Sequence, residues 1–362
     1  MTDDSALRHP IPIIPPDWDT LTKPCNIVFG CSYSHYPLDQ VSSSLQKAIR
    51  RGFFWDACKW ALEMYYTGPN IQTNLWNRLM VMAMEDVGLG SPLLIIMVQK
   101  IYNMHPNATG VLMVVMYLCY AKKCRANDWL ICIYNENSVN QCKNAYTAIQ
   151  LREFLMRHLR NKDAMNAMYI ILVIGNTDLK ENGKRLDYIT WDCFNDYYKE
   201  MRQEKGNRHS TPSNDSAPVS RLPGLNPEFL ISMRELSESA NWKTSGKRFL
   251  VYAHCLHILL FDMIPDSETF NKVGNEIYIK FHDEFTIDQL KRIEALVKNR
   301  LFVIGVPDYA VDKHTRKGKS MNRGLKHFVE IGGMLNNVDE QWRELDQKYL
   351  NIMISARTDE IV

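Results

Sequence analysis

The sequence predicts a mainly α-helical protein of two helical lobes with at most one short β segment. Apolar residues recur at i, i+3 and i+4 over most of the 362 residues, which places them along one face of successive helices. Only EIYIKF at 276–281 alternates in the manner of a strand, and it is short enough to be an extended connection. Between the two helical regions, residues 203–226 are rich in Ser, Pro, Asn and Gly and poor in large apolar groups, the composition of a linker. Hydrophobic residues make up 46% and charged residues 23%, so the chain can bury a core and is neither disordered nor fibrous.

The elements follow in order. Pro10, Pro12, Pro15, Pro16, Pro24 and Pro37 remove backbone donors and fix φ, so residues 1–40 are expected as an extended arm. Ser42 to Ser44 offer an N-cap to a helix whose apolar positions are Leu45, Ala48 and Ile49 and which Gly52 ends. A second helix, about 53–66, buries Phe54, Ala57, Ala61, Leu62 and Tyr65, and the TGPN at 67–70 terminates it. A third, about 71–86, buries Leu75, Leu79, Met82 and Ala83 before VGLGSP breaks the pattern. Further helices are expected near 92–103, 109–123, 127–134, 139–159 and 162–173, completing a lobe at 41–202. A second lobe at 227–362 carries helices near 227–240, 245–263, 286–299, 319–335 and 338–354.

Several function classes are disfavoured by composition. Lys+Arg 43 against Asp+Glu 41 gives a net charge of +2, so nucleic-acid binding must come from a local patch. The apolar runs at 111–121 and 248–264 fall short of the roughly 20 residues that span a bilayer, so no membrane partner is expected. The acidic, proline-rich start differs from a secretory signal, and nine cysteines without a CxxC pair fit a reducing compartment, cytoplasm or nucleus.

Residues 42–92 carry a Ser-x-Leu-Gln-Lys-x-Ile-Arg helix at 43–50, Trp-Ala-Leu-Glu-Met at 60–64, Asn77-Arg78-Leu79, and Glu85-Asp86-Val87-Gly88-Leu89 running to Pro92. In order and spacing this segment resembles the helical region that follows the ATPase core in the RarA and Werner-helicase-interacting family of AAA+ proteins. The resemblance implies a helical oligomerisation module in DNA replication and recombination, with Leu45, Lys47, Arg50, Arg78, Glu85, Asp86 and Gly88 as its matching positions, and it implies self-association. The family's chemistry lies in its ATPase. A Walker A loop needs a glycine-rich turn to cradle phosphate, yet Gly318-Lys319-Ser320 has Lys313 at the first glycine's place and Gly246-Lys247 is followed by Arg248. ATP hydrolysis and a nucleotide cofactor are therefore not expected of these residues, and an ATPase partner would act in trans. Read without the family, Glu85-Asp86 would be solvated acids at a helix end.

The strongest local charge signal lies at 306–333. Lys313, Arg316, Lys317, Lys319, Arg323 and Lys326 have no acid among them, and at helical spacing Arg316, Lys319, Arg323 and Lys326 share a face. Such a face can neutralise phosphates and release counterions, or simply be solvated. Gly318 and Gly324 would let a backbone approach closely. Phe53, Phe54, Trp55, Trp60, Tyr65, Tyr66 and Trp76 could stack bases beside Arg50 and Arg51 if exposed, and would otherwise be packing.

Enzymatic readings are weaker. Asp308, Asp312 and His314, with His254, His257 and His282-Asp283, supply the residue types of a metal-dependent phosphohydrolase, but in apolar or extended surroundings. Cys119, Cys124, Cys132 and Cys142 lack zinc-ligand spacing. No GxSxG elbow occurs, so no catalytic residue and no metal site is assigned. The sequence therefore points to a non-enzymatic accessory factor that contacts DNA through its basic segment. A structural scaffold protein is the first alternative and a metal-dependent hydrolase the second.

Overall fold

The computed structural model describes residues 30–134, 136–208, 227–239, 242, 246–263, 287–299 and 305–357. Among them are sixteen α-helices and one two-stranded hairpin, so the protein is mainly α. In chain order the first helices are α1 (Leu38–Arg51), α2 (Phe54–Thr67), α3 (Pro69–Met82), α4 (Leu94–Met104), α5 (Ala108–Tyr120), α6 (Ala126–Cys132), α7 (Glu136–Gln141), α8 (Ala148–Arg160) and α9 (Ala164–Asn176). The hairpin β1 (Lys180–Glu181) and β2 (Lys184–Arg185) follows. After it come α10 (Asp187–Arg208), α11 (Pro227–Glu238), α12 (Lys247–Leu260), α13 (Ile287–Lys298), α14 (Arg316–Ser320), α15 (Leu325–His327) and α16 (Arg343–Ala356). Among the described residues no helix is long and apolar enough to cross a membrane.

The chain divides into two compact units, each assembled from separated stretches: residues up to 78, 104–119 and 281–334 in the first, and 79–103, 120–280 and 335 onward in the second. The cuts therefore fall at other places than the Ser- and Pro-rich segment, most of which lies outside the described residues, as do residues 1–29, the EIYIKF segment and His282-Asp283.

In the first unit α1 packs along α2, and α13 lies on α2. Helix α1 begins at Leu38 behind Pro37, earlier than expected, and Ser42 to Ser44 are interior to it and give no cap. Their hydroxyls have other partners: Ser42 Oγ accepts from Arg78 Nε at 2.7 Å, and Ser43 Oγ donates to the Ala310 carbonyl at 2.6 Å. Gly52 ends α1 at φ 70°, as its position predicts. On α2, Glu63 accepts from Ser32 Oγ at 2.6 Å and Ser34 Oγ at 2.9 Å, which ties the segment before α1 to the second helix.

The second unit surrounds α12, whose residues from Arg248 to Leu260 are all buried. Helices α6, α9, α10 and α11 pack on it, and α16 packs on α6. The single helix expected at 139–159 is two helices, because Asn144 turns left-handed at φ 66° and Thr147 opens α8 with a capping box to Gln150. Two elements had no expectation. The hairpin turns on Asn182-Gly183, both at positive φ, the strongest short-range hairpin signal. Helix α10 buries Ile189, Trp191, Cys193, Phe194, Tyr197 and Tyr198, a largely aromatic set spread over a broad face instead of along one narrow stripe. It also extends to Arg208, six residues into the expected linker.

Candidate nucleic-acid interface

The segment 305–334 in the first unit is knit around one buried carboxylate. Asp312 Oδ2 lies 2.8 Å from Lys47 Nζ, with the two side chains 0% and 2% exposed. Lys47 Nζ also meets Ser43 Oγ at 2.5 Å, one helical turn before it on α1. The backbone N–H of His314 donates to Asp312 Oδ1 at 2.9 Å. Burial would raise the Asp312 carboxyl, but the His314 hydrogen bond and the Lys47 charge outweigh it and hold the group well below the usual carboxylate range. Lys47 is drawn down to about 8 by burial and by Arg50, against the pull of Asp312.

Other contacts close the loop over α1. Arg50 donates to the Gly332 carbonyl at 2.9 Å, and its guanidinium lies 5.5 Å from the Phe328 ring centre. Gly318 does permit a close approach, but to the chain itself: a Cβ there would overlap the Asp312 backbone. Thr315 caps α14 by accepting from the Gly318 N–H at 3.0 Å.

The continuous basic helix expected across this stretch is absent. Helix α14 stops at Ser320, Asn322 turns left-handed at φ 53°, and a separate turn, α15, starts at Leu325 and continues as a π-turn over Phe328–Gly332. The reversal follows from Arg323, which points back to donate to the Asp308 and Val311 carbonyls and to the Asp308 carboxylate at 2.6 Å. Arg316, Lys319, Arg323 and Lys326 are thus not on one helical face.

The six cations separate by role. Arg323 braces the 308–311 turn, and the Lys313 ammonium sits 5.3 Å from the Phe328 ring centre. Arg316 is exposed beside Asp39, whose carboxylate accepts its backbone N–H at 2.8 Å. Lys317, Lys319 and Lys326 are exposed. Of the aromatic residues proposed for stacking, Phe54, Trp60 and Trp76 are core, while Phe53 and Trp55 are 43% and 46% exposed. Phe53 lies against Tyr309, over which the Arg51 guanidinium rests at 4.2 Å.

The family-like residues are engaged inside the fold. Leu45, Lys47 and Arg50 are buried in the first unit, and Arg78 holds Ser42. Glu85, Asp86 and Gly88 fall in the second unit. There Asp86 is fully buried, not solvated, 3.5 Å from Arg125 Nε, and Glu85 is 3.2 Å from Arg125 Nη2. Asp128 completes the set, and Trp129 stacks 4.1 Å from the guanidinium. Burial would lower the Arg125 group, but Asp128, Asp86 and Glu85 together raise it. Gly88 sits at φ 49° against the Cys124 carbonyl, where a Cβ would overlap.

The described hydrolase candidates have partners of their own within their units. Asp308 and Asp312 bind Arg323 and Lys47, while His254 and His257 lie in the other unit. His254 donates from Nε2 to the Pro92 carbonyl at 2.8 Å and accepts from Asn127 Nδ2 at 2.9 Å. His257 donates from Nδ1 to Asn127 Oδ1 at 2.7 Å and faces the Tyr349 hydroxyl at 3.4 Å. Among the described residues no group of three or more His, Cys, Asp or Glu is placed to hold a metal ion. Cys119 belongs to the first unit and Cys124, Cys132 and Cys142 to the second.

The two neutral histidines set an acid limit. Burial lowers His254 from 6.5 to about 4 and His257 to about 3, the latter helped by His254. The unfolded chain takes up these protons below about pH 6.5 and the folded chain does not, so stability is full above that pH and declines toward pH 4. Chemical denaturation at pH 7, 5.5 and 4.5 checks this. His257→Phe is expected to flatten the decline, and an unchanged slope in that variant would place the acid sensitivity elsewhere.

No protein-family model matches the chain, and no curated protein or solved structure matches it.

Proposed function

We propose that the protein is a non-enzymatic accessory factor of DNA replication, recombination or repair that contacts the nucleic-acid backbone through the first unit. One observation carries the reading: the exposed cations Arg316, Lys317, Lys319 and Lys326 belong to the same unit as the exposed rings Phe53 and Trp55. Cations track phosphates and rings stack bases, and that pairing suits single strands in particular. The supporting segment is held by the buried Lys47–Asp312 pair and the Arg323 brace, so the cations stand on an ordered backbone. Self-association and an ATPase partner in trans belong to the same proposal and rest on the RarA-like segment alone.

Fluorescence anisotropy with single- and double-stranded DNA at two salt concentrations tests it. Lys317→Glu/Lys319→Glu/Lys326→Glu is the informative variant, because it leaves Arg323 in place. Binding should weaken as salt rises, and the variant should flatten the log–log salt slope by about 2–3. Absence of binding to either DNA at low salt, with salt-insensitive self-association by light scattering, would turn the reading to a structural scaffold.

A further inference from the structure

The exposed cations of the first unit stand beside an imidazole whose outer edge has no partner. The His314 side chain is 56% exposed, and its Nδ1 lies 3.3 Å from the Asp312 carboxylate. The same carboxylate accepts the His314 backbone N–H at 2.9 Å, so backbone and ring are fixed to one buried group. Asp312 is held ionised beside Lys47 and can only accept, so Nδ1 carries the hydrogen and Nε2 of the neutral ring keeps its lone pair. The ring meets Phe328 edge-on at 5.0 Å, which sets its plane. Among the described residues Nε2 has no hydrogen-bond partner.

The charges that face this ring come from its own loop, from α1 and from the π-turn. Asp312 and Lys313 flank it in the chain, and Lys47 reaches Asp312 from α1. Lys313 and Arg50 lie against Phe328 as well, at 5.3 and 5.5 Å from the ring centre. Other acids of the neighbourhood leave the cations in excess. Asp308 is bound by Arg323, Asp39 stands beside Arg316, and Glu330 is one exposed acid against Lys317, Lys319 and Lys326. Desolvation of the inner edge, with Lys47 and Lys313, holds the imidazole below its ordinary value against the pull of Asp312. The free protein thus keeps this ring neutral at pH 7.

We infer that His314 is a phosphate contact of the first unit that becomes charged as the phosphate arrives, so that nucleic-acid binding takes up a proton there. A backbone phosphate drawn to Lys313, Lys317, Lys319 and Lys326 brings negative charge to a ring that positive neighbours had kept neutral. The proton comes from solvent, and no bond of the strand forms or breaks. Protonation turns Nε2 from an acceptor into a donor: Nε2–H then donates to a phosphate oxygen while Nδ1–H donates to Asp312. Affinity is therefore higher on the acid side of the imidazole range and falls as pH rises through it. This role rests on the nucleic-acid contact proposed above and adds its dependence on pH. The window from pH 6.0 to 7.5 isolates it. Above that range Lys47, drawn down to about 8, begins to titrate, and further below it His254 and His257 weaken the fold.

The test titrates the full-length chain with a single-stranded oligodeoxynucleotide by calorimetry at low salt, at pH 6.0 and 7.5, in two buffers of different ionisation heat. The heat should differ between the buffers in the sense of proton uptake, and affinity should fall by about threefold from pH 6.0 to 7.5. His314→Gln keeps an amide donor for Asp312 but takes no proton. It should weaken binding at pH 6.0 by about threefold and remove most of the uptake and of the pH dependence. His327→Gln, at the other imidazole of the segment, should leave both in place. Equal heats in the two buffers, with binding intact, overturn the proton-linked contact and leave the DNA contact standing. That comparison is made on the parent chain and needs no variant. Uptake that survives His314→Gln, or is lost in His327→Gln, overturns the assignment to His314. Absence of binding at either pH overturns the DNA contact and this role together.

Discussion

Asp312→Ala is expected to destabilise the protein by about 3–5 kcal/mol, because it leaves Lys47 buried beside Arg50 with no carboxylate to answer its charge. Urea unfolding followed by circular dichroism reads the change, and a loss under about 0.5 kcal/mol, the range of an ordinary surface substitution, would sink the argument. Removing both charges tests whether the damage is the missing partner or the missing pair. Lys47→Met/Asp312→Leu should recover much of the loss, since a buried ion pair replaced by apolar groups of similar volume is often neutral. The same pair sets a pH limit in the first unit. The carboxyl is depressed in the folded chain, so its contribution is present above the unfolded value of 3.8 and is lost as pH falls below it. Asp312→Ala should therefore lose less stability on acidification than the parent protein.

Arg125→Met is expected to cost a similar amount in the second unit, about 3–5 kcal/mol, for the mirror-image reason. Glu85 and Asp128 keep access to water when the guanidinium is gone, with 17% and 18% exposure, but Asp86 has none and would lose a cationic neighbour while remaining buried. The double variant Arg125→Met/Asp86→Leu should be less destabilised than Arg125→Met alone, a non-additivity that reports direct coupling between the two residues. If the two losses simply add, Asp86 is not stabilised by Arg125. This outcome bears on how the family-like segment is read. In this chain Glu85 and Asp86 have an internal partner, so a role in self-association would have to come from the surface around them.

Much of the fold was legible from periodicity. Leu45, Ala48 and Ile49 on α1, and Leu75 and Leu79 on α3, were expected on buried faces and are buried, because apolar spacing is a local property that the chain carries wherever it folds. Gly52 ended its helix for an equally local reason, the steric freedom of a residue without Cβ at positive φ. Helix α10 was not legible, since its aromatic residues spread over a broad face and leave no narrow stripe to detect. The Asn182-Gly183 hairpin carried a readable signal that a search for long elements passes over.

The charged residues divide along the same line. Sequence located the basic run at 313–326 and the acids at 85–86, because charge is written in residue type. It did not determine which of them meet water. Lys47, with a typical surface composition, is sealed against Asp312 from 265 positions away, and Arg323 is turned inward to brace Asp308, which breaks the helix that spacing alone would draw. Such partners are chosen by the three-dimensional path of the chain: a charge is buried only where an opposite charge and its hydrogen bonds arrive at the same point, and no one-dimensional pattern encodes that arrival. The sequence by itself therefore determined the helical class and the positions of the apolar faces. Only the tertiary structure decided which cations stay at the surface and which become part of the core.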